Sequence, residues 1–122
     1  MSRRSIDVYA AGMDVAQLSV AEAAEALAGG AVAIDVREPD EWEAGRLEDS
    51  VHIPLSELGG RLDELPPDAA LLLVCRTGSR SDLAAHALAR NGRTGCANLA
   101  GGLRAWAAEG RPLAPGGAGV VI

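Results

Sequence analysis

The sequence predicts an α/β fold, and two patterns point to it. Short apolar runs alternate along the chain with segments of helical periodicity, as expected when strands and helices follow one another. Two of these runs, 31–36 and 70–74, are almost continuously apolar. Such runs are typical of central parallel strands that are buried on both faces of a sheet.

The elements of the first half are predicted from caps, turns and apolar runs. Ser19 and Glu22 have the spacing of a capping box, and Gly29-Gly30 follows the helix that they start. Pro39 suits the first turn of a short helix that is rich in acidic residues. In order, we expect a helix to about residue 27, a strand over 31–36, a short helix over 39–43, a strand over 51–53 and an interrupted helical segment over 56–65.

The second half contains the most apolar strand of the chain, 70–74, followed by a helix from Ser81. The apolar face of this helix is predicted to hold Leu83, Ala84, Ala87 and Leu88, which follow the helical period. Asn91-Gly92 ends the helix. A weak strand over 96–99 and a short helix after Gly101-Gly102 complete the set.

The bulk composition fits one globular domain. The chain has 122 residues, 48% hydrophobic and 23% charged, which is sufficient for one core. We expect an N-terminal extension over 1–12, a domain over 13–113 and a flexible glycine-rich tail over 114–122.

Charge and hydropathy exclude some partners and favour a cytoplasmic location. The net charge of −6 argues against nucleic acid, because binding to phosphates needs a basic face. No run approaches the ~18 apolar residues of a membrane span, and no apolar signal segment follows the basic N-terminus. We therefore expect a cytoplasmic protein without a membrane partner.

The candidate site is the loop between the 70–74 strand and the following helix. Ligands of open α/β sheets bind beyond the carboxyl ends of the strands, and Cys75 stands at that position. The N–H groups of residues 77–81 and the positive end of the helix dipole are expected to converge on its sulfur. The predicted site comprises the nucleophile Cys75 and the loop residues Arg76, Thr77, Gly78, Ser79, Arg80 and Ser81.

This loop favours ionised Cys75 over the ordinary alternative. A single cysteine at a strand end is more often a small buried apolar residue. An inert core cysteine, however, does not need a polar, glycine-containing loop that carries Arg76 and Arg80. We therefore interpret Cys75 as a nucleophile whose pKa lies below the value of about 8.5 for free cysteine.

Four segments, in order, resemble motifs of the rhodanese family, and the match covers roughly residues 19–112. They are Asp35-Val36-Arg37, His52-Ile53-Pro54, the loop from Cys75 to Ser81, and the closing segment from Asn98 through Gly101-Gly102 to Trp106.

The resemblance implies a five-stranded, mostly parallel sheet flanked by helices on both faces. It also implies a sulfurtransferase that moves sulfur from a small anionic donor such as thiosulfate, through a Cys75 persulfide, to cyanide or a thiol or protein acceptor. Arg76 and Arg80 would bind the donor, and Asp35 and Arg37 would brace the pocket floor. No cofactor is implied.

One segment departs from the family pattern. Where the family often has Gly-His-Ile-Pro-Gly-Ala, this chain has Gly45 followed by Arg46, Leu47, Glu48, Asp49 and Ser50. The nucleophile is unaffected.

Two other functions have less support from the sequence. Phosphatases and arsenate reductases of the same fold use a wider Cys-x5-Arg loop, whereas Cys75 and Arg80 form Cys-x4-Arg, which suits one sulfur atom better than an oxyanion. A non-enzymatic interaction module of the same fold commonly lacks the cysteine, so Cys75 and the loop arginines argue against it.

The remaining polar candidates are given structural roles. Asp35 and Arg37 could simply form a salt bridge that ties loops together. His52 is interpreted as a packed strand histidine, and His86 as a partner of Asp82 on a solvated helix face.

Cys96 is expected to be an inert core thiol, and Trp42 and Trp106 are expected to fill the core. No Cys and His residues have the spacing of metal ligands, so no metal site is predicted.

Overall fold

The computed structural model describes residues 15–122, so the predicted N-terminal extension over 1–12 lies outside the described residues. The strands are β1 (Ala16–Leu18), β2 (Val32–Asp35), β3 (Val51–His52), β4 (Leu71–Val74) and β5 (Cys96–Leu99). The helices are α1 (Val20–Ala28), α2 (Pro39–Ala44), α3 (Ser79–Arg90) and α4 (Gly102–Ala108), with 3-10 helices at Leu55–Gly60 and Leu62–Glu64.

The five strands form one sheet in the order β1-β5-β4-β2-β3, and all neighbouring pairs are parallel. This confirms the expected five-stranded α/β fold. Strand β1 was not predicted from the residues, and the segment over 56–65 forms 3-10 turns instead of one helix.

The core has two halves because side chains alternate along each strand. On one face Leu71 and Leu73 pack with Ala84 and Leu88 of α3. On the other face Leu72 and Val74 belong to a cluster that includes residues of α1 and α4. Helices therefore cover both faces, and β4 is buried along its whole length.

Helix α3 is rotated relative to the sequence prediction. Its buried residues include Ser81, Ala84 and Leu88, whereas Leu83, predicted on the apolar face, is 65% exposed. The prediction for Leu83 is therefore wrong. Ser81 faces the sulfur of Cys75, and a residue two positions later on a helix points to nearly the opposite side.

Local sequence signals set the helix ends. Ser19 N donates to the Glu22 carboxylate at 2.9 Å, and Glu22 N donates to Ser19 Oγ at 3.1 Å, which confirms the capping box. Helix α3 ends at Arg90, Asn91 is its C-cap, and Gly92 follows with φ +94°.

The glycine-rich segment over 114–122 lies beside α2. Ala114 and Arg46 form an antiparallel bridge, and Val120 N donates to Ala44 O at 2.9 Å. Val121 packs against the cluster that contains Trp106.

The carboxyl ends of the strands gather the residues of the candidate site at one edge of the sheet. Asp35 is in register with Val74, and Asn98 is in register with Leu73. Among residues 15–122, no helix has the length and apolar character needed to cross a membrane.

Candidate active site

Cys75 lies at the base of the loop between β4 and α3, with hydrogen-bond donors directed at its sulfur. Gly78 N–H donates to Sγ at 3.1 Å and Ser81 N–H donates to it at 3.3 Å. The Ser81 hydroxyl oxygen lies 3.2 Å from the same sulfur. The structure thus brings the predicted loop residues together around one atom.

The sulfur is buried but not surrounded by hydrocarbon alone. Cys75 is 1% exposed and belongs to the core cluster that contains Ile34 and Ala84. Its other side faces the N–H groups of the loop. Reactants must therefore meet the sulfur at the mouth of the loop, where Arg76, Thr77 and Ser79 are exposed.

These surroundings favour the thiolate. Burial raises the pKa of Cys75, but hydrogen bonds from the Ser81 side chain and from the N–H groups of Ser81, Gly78 and Thr77 outweigh it. The net result is a pKa below the ordinary value for cysteine.

Glycines and the start of α4 hold the loop in shape. Gly78 precedes α3 with φ +101°, and a Cβ there would come within 3.2 Å of both Gly101 N and Leu99 O. Leu103 N–H donates to Cys75 O at 2.9 Å, and Arg104 N–H donates to Arg76 O at 3.0 Å. The first turn of α4 therefore fixes the carbonyl groups that flank the nucleophile.

The two loop arginines have different environments. Arg80 makes a two-point ion pair with Glu41 of α2, with both N–O distances at 2.8 Å. Arg76 is exposed, and no residue in the described range 15–122 forms a salt bridge with it. Sequence reasoning missed Glu41, because only the folding of the chain brings it to Arg80.

Asp35 and Arg37 form a fully buried ion pair at the end of β2. Arg37 Nη2 lies 2.8 Å from Asp35 Oδ2, and both residues are 0% exposed. The same Arg37 atom donates to Gly45 O at 2.7 Å. The pair thus ties the end of β2 to the end of α2, as the structural interpretation expected.

Ser81 also belongs to a polar chain that leads away from the sulfur. Ser81 Oγ lies 2.6 Å from Asn98 Oδ1, and Asn98 Nδ2 donates to Gly78 O and to Gln17 Oε1. Gln17 Nε2 donates to Asp82 Oδ1 at 2.7 Å. In the sequence Asn98 stands out only as part of the closing motif, because its contact with Ser81 depends on the register of β5.

Arg46, the first residue of the departing segment after Gly45, packs on a pair of stacked rings. The Arg46 guanidinium lies 5.1 Å from the centroid of the Trp42 ring, and His52 stacks on Trp42 at a centroid distance of 4.7 Å. His52 Nε2 donates to Arg37 O at 2.7 Å. His52 is therefore a packed, hydrogen-bonded histidine, while Trp42 is only half-buried and Trp106 lies in the core.

Two other predicted contacts lie away from the sulfur. His86 Nδ1 is 3.4 Å from Asp82 Oδ1 on α3. Cys96 is a buried free thiol at the amino end of β5, where it is in register with Leu71. Cys75 follows the opposite end of β4.

The described residues 15–122 contain no group of three or more His, Cys, Asp or Glu side chains that could hold a metal ion.

Comparison with known proteins places this geometry in context. The model of the rhodanese-like domain matches residues 19–109 of the chain. The uncharacterized protein YqhL of Bacillus subtilis is 44% identical over 73 residues, which are 60% of this chain and 58% of YqhL. The chain therefore spans a little over half the length of that relative.

A second relative and a solved structure match over more of their length. A protein named sulfurtransferase from Allochromatium vinosum is 36% identical over 80 residues, which are 66% of this chain and 75% of that protein. A rhodanese-related protein from Thermoplasma volcanium has a TM-score of 0.76 at 30% identity, with 81% of this chain and 97% of that one covered. The sequence and the fold thus agree with those of proteins of one family.

Proposed function

The chain belongs to the rhodanese-like domain family, and we propose that it moves a sulfane sulfur from a small anionic donor to a thiol acceptor through a persulfide on Cys75. The observation that carries this proposal is the set of donors at one sulfur: the N–H groups of Gly78 and Ser81 at 3.1 and 3.3 Å. Main-chain donors of this kind stabilise a negative charge without needing to move during the reaction.

The first step loads the sulfur. With thiosulfate as donor, the Cys75 thiolate attacks the outer sulfur, and a new S–S bond forms as the S–S bond of thiosulfate breaks. Sulfite leaves with the electron pair of the broken bond. The thiolate supplies the electron pair of the new bond and sulfite takes the pair of the broken bond, so the electrons balance without an external oxidant or reductant.

The second step returns Cys75 to its starting state. An acceptor thiolate attacks the outer sulfur of the persulfide, and Cys75 leaves as a thiolate. The N–H groups that favour ionised Cys75 also make it a better leaving group in this step. The same donors thus serve both half-reactions.

Charge at the mouth of the loop supports an anionic donor. Arg76 is exposed there, and we assign it the first contact with the donor. Both outer nitrogens of Arg80 donate to Glu41, so a donor that used the same edge of the guanidinium would replace Glu41. Both cysteines are free, which suits a reducing compartment such as the cytoplasm.

Two alternatives have less support. A four-residue spacing between Cys75 and Arg80 and N–H groups directed at the sulfur itself favour a bound sulfur over a bound phosphate. A purely non-enzymatic module has no need of a cysteine with hydrogen-bond donors arranged around it.

Persulfide mass spectrometry tests the proposal. Incubation with thiosulfate should add the mass of one sulfur atom to the protein, and later incubation with cyanide or a thiol should remove it. Cys75→Ser should abolish the added mass, whereas Cys96→Ala should retain it. An unmodified mass with thiosulfate and with low-molecular-weight persulfide donors would contradict the proposal.

A further inference from the structure

Two acceptors lie within hydrogen-bond distance of the Ser81 hydroxyl group. Its oxygen lies 3.2 Å from Cys75 Sγ and 2.6 Å from Asn98 Oδ1. A hydroxyl group has one proton to donate. Ser81 therefore cannot donate to a Cys75 thiolate and to Asn98 at the same time.

The orientation of the Asn98 amide is fixed from inside the loop. Asn98 is 2% exposed, and its Nδ2 donates to the main-chain oxygen of Gly78 at 3.1 Å. A carbonyl oxygen can only accept, so the amide nitrogen must face Gly78. Asn98 Oδ1 is then left facing Ser81, and this oxygen can only accept as well.

The outer end of this series of hydrogen bonds, at Gln17 and Asp82, gives the same orientation independently. Gln17 Nε2 donates to Asp82 Oδ1 at 2.7 Å, and an ionised carboxylate only accepts. Gln17 Oε1 must then face Asn98, and it accepts from Asn98 Nδ2 at 2.9 Å. Gly78 O and the Asp82 carboxylate are two separate acceptors. Each of them requires the same donor-to-acceptor direction along the series of hydrogen bonds from Ser81 to Asp82.

This direction of hydrogen bonding, in which Ser81 donates to Asn98, is compatible with the thiol form of Cys75. With a thiol, the S–H can donate to Ser81 Oγ, Ser81 donates to Asn98, and Asn98 donates to Gly78 and Gln17. With a thiolate, the Ser81 proton must turn toward the sulfur, and the buried Asn98 Oδ1 loses the donor it has in Ser81. Leaving a buried acceptor unpaired opposes that change.

We propose that Asn98 is a positioning residue that competes with Cys75 for the Ser81 proton and so opposes formation of the thiolate. The main-chain N–H groups of Gly78 and Ser81 favour the thiolate, and Asn98 sets how much the hydroxyl adds to them. This inference rests on the proposed function only in taking the thiolate as the reacting form of Cys75.

Other charged groups also influence this sulfur and must be held constant. Near the loop these groups are Arg80 on α3, Glu41 on α2, and Asp35 with Arg37 at the end of β2. Arg76 lies on the loop itself, and at the outer end His86 faces Asp82 at 3.4 Å. None of them is altered in the comparison that follows, so their contributions cancel.

A double-mutant cycle tests the competition. The full chain carries Cys96→Ala, which leaves Cys75 as its one thiol. The ultraviolet absorbance of the thiolate is followed against pH for four proteins: Ser81 with Asn98, Asn98→Leu, Ser81→Ala, and both substitutions together. A Cys75→Ser protein supplies the baseline.

Asn98→Leu should lower the measured pKa of Cys75 when Ser81 is present. At a pH below the midpoint, the thiolate fraction should rise roughly two- to tenfold, the range of one net hydrogen bond. In the Ser81→Ala background the same substitution should have no such effect. Loss of the Asn98–Gly78 hydrogen bond is common to both backgrounds and cancels.

An equal shift in the two backgrounds, no shift, or a higher pKa with Ser81 present would each overturn the inference. Asn98→Ala removes the same carbonyl without added bulk and replaces Asn98→Leu if that variant fails to fold. The readout does not depend on sulfur transfer. A protein that shows the expected cycle but never acquires a sulfur atom would contradict the proposed function alone.

Discussion

Arg80 and Glu41, which are 39 residues apart in the chain, form a two-point ion pair at the rim of the Cys75 loop. Arg80 Nη1 lies 2.8 Å from Glu41 Oε1, and Nη2 lies 2.8 Å from Oε2. The Glu41 carboxylate thus occupies the outer edge of the Arg80 guanidinium, where an anionic donor could bind in the same two-point manner. A donor that binds this edge of Arg80 displaces Glu41.

The first prediction concerns donor affinity. Glu41→Gln should lower the KM for thiosulfate by roughly three- to tenfold, because Arg80 is released and a repelling charge is removed. Steady-state sulfur transfer at low ionic strength measures the effect, which should shrink as salt is added. Glu43→Gln, an exposed acid on the same helix, is the matched control. An unchanged or higher KM for Glu41→Gln would contradict competition between Glu41 and the donor for Arg80.

The second prediction concerns acid stability. A hydrogen bond from the Arg80 side chain lowers the pKa of Glu41 from 4.5 to about 2. A lowered folded-state pKa contributes stability that is complete above the unfolded-state value and is lost as the pH falls toward the folded-state value. Because Arg80 is 34% exposed, we expect Glu41→Gln to cost only about 1 kcal/mol at neutral pH.

Urea unfolding at several pH values measures this difference. The gap between the native protein and Glu41→Gln should be constant above pH 4.5 and should close as the pH approaches about 2. A gap that persists at the acidic end would mean that the ion pair is not its origin.

The sequence was sufficient to predict the elements whose pattern is local. Strands β2 and β4 stand out because nearly every residue in them is apolar, and the capping pattern of Ser19 and Glu22 marks the start of α1. Strand β1 was missed because it has only three residues, of which Ala16 and Gln17 are exposed. A pairing with β5, at the other end of the chain, makes it a strand.

The contacts that modify the loop could not be predicted because they are distant in sequence. Cys75 and its loop were found from the strand–loop–helix order and from the family motif. Glu41 reaches Arg80 through the placement of α2, and Asn98 reaches Ser81 through the register of β5. Leu83 was placed on the wrong face because the contact between Ser81 and the sulfur, which sets the rotation of α3, leaves no mark in the hydrophobic pattern.

The third prediction concerns Gly102, which packs against the loop at the start of α4. Its φ is +62°, and a Cβ there would come within 2.6 Å of Thr77 N and closer still to the Arg76 carbonyl group. Gly102→Ala should therefore lower the free energy of unfolding by about 2–4 kcal/mol and raise the pKa of Cys75 by displacing the loop donors.

Gly110 provides the matched control for this substitution. Its φ is +77°, but no atom lies within 4 Å of a Cβ at that position. Gly110→Ala should lower the free energy of unfolding by only about 1 kcal/mol, because alanine disfavours the left-handed backbone conformation. It should leave the titration of Cys75 unchanged. Similar losses for the two variants in denaturant unfolding would contradict the close contact with Arg76.

The fourth prediction concerns the buried pair of Asp35 and Arg37, whose side chains are 1% and 0% exposed. Asp35→Asn should destabilise the protein by about 3–5 kcal/mol, because it leaves the Arg37 charge buried without its partner. Asp35→Leu combined with Arg37→Met removes both charges and should cost less than Asp35→Asn alone. Urea unfolding of the three proteins measures this order, and a double variant less stable than the single one would refute it.

The fifth prediction separates the two cysteines. Cys96 is in register with Leu71, the first residue of β4, whereas Cys75 follows Val74 at the other end. Four residues of strand separate these positions by roughly 13 Å, beyond the reach of a disulfide. Burial also raises the pKa of Cys96, while that of Cys75 is lowered.

Cys96→Ala should therefore retain the rate of persulfide formation within about twofold, and mild oxidation of the native protein should give no internal disulfide. A time course of the added sulfur mass measures the rate, and mass spectrometry of the oxidised protein under denaturing conditions, with and without reductant, detects any disulfide. A mass lower by two hydrogen atoms after oxidation would show that the sheet opens far enough for the two sulfurs to meet. Cys96 would then be able to resolve the persulfide, and its place at the amino end of β5 would no longer exclude it from the reaction.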